Sequence, residues 1–493
     1  MTKGLVWYLV PRLRDLLFSI LFVGVFFLGS RLLNIDSDLG VHLTTGEYIL
    51  TSQSIPKVDL FSYTKPGVAR PPYAWLTELF FAIAFRLADL DGVIWLCALI
   101  IATSFSVVFY DALKRSGYPL LSLILTLVAA VTSSIHWLAR PHLFTFLFLA
   151  AWLACLDSNR RAYRIPIWIF PLIMLLWANM HGGFIFGVAA WFAYFVGSLF
   201  VGQFMKISPS HLESKNLLII GFLSFAATLL TPGGLDNWRA VLGNSNAYLT
   251  SHTIETQPPS FSQPSTWMVL IFLISGGLLA LKKVMNIIHI LLFAGFGILS
   301  LYITRVIPLF MIAAAPILSE SLEKYFYPAN IWSSVENRIA ALQTHLRGVI
   351  WPLVVIIGSI LLLSITRTIT KHPVYSFNSN IFPVHAVDWL ENFPQQGNMF
   401  NDIDWSGYIL HRLWPTQKVF IDSRTDFYGE PMLRIYEKII TAAPNWEDLL
   451  QQYHVKWVLI PMNAPLANAL QEAGWNQVYH DSSAVIFSSP NPR

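Results

Sequence analysis

Asn34-Ile35-Asp36-Ser37-Asp38-Leu39-Gly40-Val41-His42 follows directly on the first strongly apolar stretch of the chain, residues 15–33, and decides how the rest is read. A carboxylate costs about 3 kcal/mol or more inside hydrocarbon, so an aspartate pair at the mouth of an apolar helix marks a membrane surface or a site built there. The composition agrees: 55% of the 493 residues are hydrophobic, 12% are charged, and 18 are Trp, far from the balance of a soluble protein. The net charge of +4 is spread over short loops, which gives no basis for a nucleic-acid partner. Cys97 and Cys155 both fall in apolar stretches, so the polar parts hold no disulfide framework. Residues 16–30, behind Lys3, Arg12 and Arg14, lack an A-x-A-like cleavage site and read as a retained signal anchor.

Apolar stretches near 15–33, 92–112, 118–138, 142–157, 165–180, 183–204, 216–232, 266–281, 285–303, 306–320 and 347–366 predict a polytopic α-helical membrane protein with about eleven crossings. Lys3/Arg12/Arg14, Lys114/Arg115, Arg160/Arg161/Arg164, Lys206/Lys215, Lys282/Lys283 and Lys324/Arg338/Arg347 mark every second junction as cytoplasmic. The N-terminus is then inside, and an odd number of crossings puts the C-terminal part outside. Residues 1–369 form the membrane domain, with 34–91 as its first outer loop. Within that loop 74–88, interrupted by Glu78 and Arg86, suits an interfacial helix. Residues 370–383 read as a linker, and 384–493 as an exported α/β domain. In that domain strands are expected at 399–402, 418–422, 456–461 and 484–488, and helices at 384–393, 429–441, 446–453 and 464–473.

This topology gathers titratable residues from distant segments on the outer face: Asp36, Asp38, His42, Glu47, Asp59, Glu78, His136, Arg140, His142, Asn179, His181, Glu255 and Arg305. The spacing of Asp36 and Asp38 suits shared binding of Mg²⁺ or Mn²⁺, or one of them serving as a base, or plain helix capping before Leu39. Arg140 and His142 flank Pro141 in a tight turn, where a guanidinium either grips a phosphate or reaches lipid headgroups. Arg305 stands between two apolar stretches with almost no loop, against the positive-inside rule, and is a candidate anion ligand. His181, in Trp177-Ala178-Asn179-Met180-His181-Gly182-Gly183, either bonds a sugar or phosphate or caps its hairpin.

Taken together, several segments resemble the bacterial branch of the GT-C superfamily of integral-membrane glycosyltransferases. They are Asp36-x-Asp38-x3-His42-x3-Gly46-Glu47-Tyr48-Ile49-Leu50, Ile55-Pro56-x2-Asp59-x-Phe61-Ser62-Tyr63-Thr64, Trp75-Leu76-x-Glu78, Arg140-Pro141-His142, Trp177-Ala178-Asn179-x-His181-Gly182-Gly183 and Arg305-x2-Pro308-Leu309. In the tail, Val419-Phe420-Ile421-Asp422-Ser423-Arg424-x-Asp426-x-Tyr428-Gly429 is similar to the exported domain of such proteins. One departure stands out: many relatives carry an aromatic before the loop histidine, where this chain has Gly40-Val41-His42. The resemblance implies transfer of a sugar from a polyprenyl-phosphate donor to a glycan, lipid or protein acceptor on the outer face of a bacterial inner membrane. It implies Asp36 or Asp38 as catalytic residue, with a divalent metal where they hold one. Arg140 and Arg305 would be phosphate ligands, with His42, Glu47, Glu78, His142 and His181 lining the substrate site. Other readings are a non-catalytic GT-C-like scaffold or partner subunit, a polysaccharide polymerase or ligase, and a transporter, the last disfavoured by the lack of repeated halves.

Overall fold

The computed structural model describes residues 9–161, 165–204, 211–243, 247–326, 331–346, 348 and 350–490, and a helix falls on each of the eleven apolar stretches. Lys3, Arg164, Lys206 and Arg347 lie outside the described residues. Among the described residues, six helices are long and apolar enough to cross a membrane: Trp75–Ser116, Pro119–His136, His142–Arg160, Pro264–Leu281, Thr304–Phe326 and Ile350–Thr370. Ile169–Met180, Phe184–Phe200, Ser214–Thr228 and Ile287–Tyr302 are shorter apolar helices. The chain is therefore a multi-pass helical membrane protein, although helix length alone supports fewer than eleven full crossings. Phe27, Phe222, Ile274, Leu281 and most of Ile350–Thr370 present large apolar side chains outward, a surface that suits lipid. Thr304–Phe326 is the central post: Ile307–Ser321 is buried throughout, and Ala313-Ala314-Ala315 admits neighbouring helices closely.

The expected helix at 74–88 begins at Trp75 and is set off from the span that follows by non-helical backbone at Ala88 and Asp89, with a φ of 51° at Asp89. Asp89 binds Arg367 at 2.7 Å. At the other end of the bundle the basic residues that signal topology also have acidic partners. Asp157 receives Arg160 at 2.8 Å, Arg161 at 2.7 Å and Arg115 at 3.5 Å, and Glu320 receives Arg161 and Lys324. This buried network ties together the ends of helices that packing alone would leave free to slide.

The tail forms a four-stranded sheet in the order β1 (Asn398–Asn401), β2 (Val455–Pro461), β4 (Ala484–Ser488), β3 (Asn476–His480). β1 runs parallel to β2 and the other pairs are antiparallel. Strand alternation sends Met399, Trp457, Leu459 and Ile486 to one face, against helices Val384–Asn392 and Ser406–Leu413. Phe400, Val458, Ile460, Val485 and Phe487 go to the other, against helices Thr425–Ile440, Trp446–Gln452 and Pro465–Glu472.

Two strand expectations need correction. β3 was not foreseen, because Asn476–His480 is an edge strand with mostly exposed side chains and carries no apolar alternation. Residues 418–422, apolar enough for a strand, do not join the sheet. Val419 instead pairs with the 34–91 segment: its N–H donates to Phe61 O at 3.0 Å, and Tyr63 N–H donates to Val419 O at 3.2 Å. Val41 and Phe61 of the membrane domain enter the core around β1 and Tyr408, so tail and first loop share packing. The 370–383 segment is strapped down as well. Asp91 accepts from Val374 N–H and Tyr375 N–H at 3.0 and 2.9 Å, and Asn34 Oδ1 accepts from Asn378 N–H at 2.8 Å.

Candidate active site

Helix Asp38–Ser52 positions the acidic pair. Asp36 lies just before it, and its Oδ1 accepts the Asp38 N–H at 2.6 Å, so the capping role expected of this stretch is filled by Asp36. Its other oxygen is 3.1 Å from Arg140 Nε, and Arg140 also contacts Asp38 and, at 3.0 Å, Glu255. Three carboxylates from two segments thus surround one guanidinium, whose planar fork can face several acceptors at once. Glu255 also stands 3.7 Å from His136. Burial raises the Asp36 carboxyl despite Arg140, whereas at Glu255 burial is outweighed by Arg140, His136 and Arg305, and the carboxyl is held below its usual range.

Arg140, expected as a phosphate ligand, has its donors turned to these carboxylates. Arg305 differs. It is exposed at the head of the central post, makes no hydrogen bond or ion pair among the described residues, and acts electrostatically on His136, His181 and Glu255.

The histidines divide by their bonds. His142 Nε2 meets the His136 carbonyl at 2.8 Å with the two rings 4.3 Å apart, so it pins the turn around Pro141. His181 Nδ1 accepts from Gly183 N–H at 3.0 Å and from Thr145 Oγ1 at 2.8 Å, while Thr145 accepts from Trp177 Nε1 at 2.9 Å. That chain leaves the proton on His181 Nε2, and burial first, then Arg305, lowers the imidazole to about 3, so it is a neutral donor. His42 Nδ1 is bonded to buried Glu78 at 3.1 Å, and Arg70 approaches the same carboxyl oxygen at 3.7 Å. Glu47 stands apart: its carboxylate pairs with Arg86 at 2.6 Å on the exposed side of the same helix.

No group of three or more His, Cys, Asp or Glu is arranged to hold a metal ion among the described residues. Asp36, Asp38 and Glu255 converge on a guanidinium rather than on a shared vacant point, so the divalent cation does not fit this arrangement.

Sequence reasoning missed two contributions. Arg70 drew no attention beside Pro71-Pro72, although it is the cation that meets Glu78. The tail's own Asp402-Ile403-Asp404 was passed over. Helix Ser406–Leu413 seats its Gly407 against Ser37 and Gly40, so closely that a Cβ on either glycine would land on the other segment's backbone. That contact explains why Gly40 stands near the loop histidine, and it brings Asp404 beside the acidic pair: desolvation first and the Asp36 charge second raise the Asp404 carboxyl. Asp402, half-buried and next to Asp404, is pushed up to about 6 by desolvation first and the Asp404 charge second. Asp422, Arg424 and Tyr428, expected at a strand end, form a clasp to the first loop. Arg424 Nη2 reaches Asp59 at 2.6 Å and its Nε reaches Asp422 at 2.6 Å, while Tyr428 donates to Asp422 at 2.8 Å.

The chain, an apolar helical bundle with ionisable loops converging at one end and a small α/β tail, has the fold of archaeal oligosaccharyltransferases of known structure. The apo oligosaccharyltransferase of Archaeoglobus fulgidus superimposes with a TM-score of 0.61 at 10% identity, over 91% of this chain and 69% of that one. The archaeal oligosaccharyltransferase AglB from the same organism, in complex with an inhibitory peptide and a dolichol-phosphate, gives 0.59 at 10% identity over 90% and 69%. The A. fulgidus enzyme tethered to an acceptor peptide containing the NVT sequon gives 0.54 at 11% identity over 96% and 74%. No family model and no curated protein matches the chain.

Proposed function

We propose that this chain transfers a sugar from a polyprenyl-phosphate donor to an acceptor on the outer face of a bacterial inner membrane. The observation that carries the reading is the convergence of Asp36, Asp38, Arg140, Glu255 and Arg305, the last without an ion pair among the described residues, at one end of an apolar bundle. A solved structure of the same fold that binds a dolichol-phosphate supports a lipid-linked donor. In this reading residues 1–369 hold the isoprenoid between helices, 370–383 strap the tail to them, and 384–493 cover the site from outside. Asp36 or Asp38, aligned by Arg140, polarises an acceptor hydroxyl, which displaces the lipid phosphate at the anomeric carbon. Arg305 stabilises the departing phosphate, and the neutral His181 Nε2–H is a second donor for sugar or phosphate oxygens. The acceptor is a glycan, lipid or protein.

Binding of undecaprenyl phosphate to the purified chain tests the phosphate role. Arg305→Lys keeps the charge but loses the fork and should bind about tenfold more weakly, a difference of roughly 1.4 kcal/mol, and Arg305→Ala weaker still. Wild-type affinity in both variants would leave Arg305 as a headgroup anchor only.

A further inference from the structure

We propose that His42, held by Glu78, is the general base that takes the acceptor's proton, an inference that rests on the glycosyl-transfer reading above and assigns its proton-transfer residue. Asp38 and His42 lie one turn apart on the same helix and so project from the same side. Gly46, a further turn on, has no side chain because the backbone of Glu78 occupies its place: a Cβ there would land on the Glu78 carbonyl. This close crossing of helices Asp38–Ser52 and Trp75–Ser116 delivers the Glu78 carboxylate to His42.

The bond between them fixes the imidazole. A carboxylate only accepts, so at 3.1 Å His42 Nδ1–H is the donor, and in the neutral ring Nε2 then carries the lone pair. Nε2 makes no hydrogen bond or ion pair among the described residues. Glu78 is itself immobile. It is buried in the first turn of its helix, and that turn is tied down by Trp75 Nε1 to Asn179 at 2.7 Å and Thr77 Oγ1 to Met180 O at 2.8 Å. The charged and titratable groups facing His42 are Glu78, with Arg70 behind it, and, at longer range, Asp36 and His181. An imidazole with one nitrogen clamped by a buried carboxylate and the other without a hydrogen bond among the described residues, one helical turn from Asp38, is the arrangement of an oriented base.

The aspartates are less suited to that role. Both face Arg140, whose guanidinium competes with an acceptor proton for Asp36 Oδ2 and Asp38 Oδ2, and Asp36 Oδ1 also accepts the Asp38 N–H. In the step proposed, the acceptor oxygen forms a bond to the anomeric carbon while its proton passes to His42 Nε2. The bond from that carbon to the phosphate oxygen breaks, its electron pair leaves with the lipid phosphate, and the proton passes from His42 to water. Glu78 touches no substrate in this scheme and is a positioning residue.

Nitrogen NMR of histidine-labelled full chain in lipid nanodiscs, with His42 assigned by difference from His42→Gln, reads the tautomer without any substrate. Nδ1–H is expected, and finding the neutral ring protonated at Nε2 would overturn the proposal. Release of free hexose from geranylgeranyl-phosphate glucose, galactose or mannose, with water as acceptor, tests the chemistry. His42→Gln should lower kcat by about 100- to 10,000-fold with little change in KM, the size expected for loss of a base. Added imidazole should restore part of the activity of His42→Ala, which a purely structural role would not allow. A His42→Gln enzyme within a few-fold of wild type would overturn the proposal. Wild-type protein that turns over none of these donors would count against the glycosyl-transfer reading, while the tautomer still decides the dyad.

Discussion

Arg424→Ala is expected to destabilise the protein by about 3–5 kcal/mol, the cost of stranding two buried carboxylates when the guanidinium that pairs with both is removed. Asp59 and Asp422 have fully buried side chains and Arg424 is 8% exposed, so water cannot take over the lost contacts. The guanidinium also stacks between Phe61 and Phe427, with its carbon 5.1 Å from each ring centre. Because the clasp joins the tail to the first loop, the damage should fall on docking of the tail. Limited proteolysis should cut the variant between the membrane domain and residue 384 under conditions that leave wild type intact, and the thermal midpoint in detergent should drop. An unchanged midpoint and cleavage pattern would mean that the shared core around Val41, Phe61 and Tyr408 holds the tail unaided.

Arg140→Ala should abolish turnover and destabilise as well, by roughly 3 kcal/mol, since it leaves Asp36, Asp38 and Glu255 facing one another without a cation. Arg140→Lys should recover most of the stability and little of the activity, because a point charge balances the carboxylates without holding three of them in register. The split between thermal midpoint and hexose release checks this. Equal recovery of both would make Arg140 a charge balancer with no orienting role.

The membrane helices were legible because a long apolar run admits few other states, and the charge of each loop could be counted. The acidic pair, Arg140 and Arg305 were legible as chemistry for the same reason: a charge beside hydrocarbon needs a purpose. What could not be read was partnership. Nothing in the sequence says that Arg140 faces the aspartates instead of a phosphate, since that pairing is set by how helix Asp38–Ser52 meets the turn around Pro141. The 418–422 run looked like a strand because it is apolar on both faces, yet it is covered by the first loop, which supplies the burial a neighbouring strand would have given. Gly40 and Gly407 are separated by most of the chain, and only the fold reveals that each is small for the sake of the other.

The central claim is that an acidic pair at the outer end of the bundle works on a polyprenyl-phosphate sugar, and turnover by Asp38→Asn tests it most directly. Asn keeps the size of Asp38 and removes its charge, and the helix cap is made by Asp36, so the variant should fold and bind undecaprenyl phosphate as wild type does. Hexose release from the geranylgeranyl-phosphate donors should be at least about 100-fold slower, the scale of losing a group that acts in the transition state. Full turnover by a correctly folded Asp38→Asn protein would contradict the account.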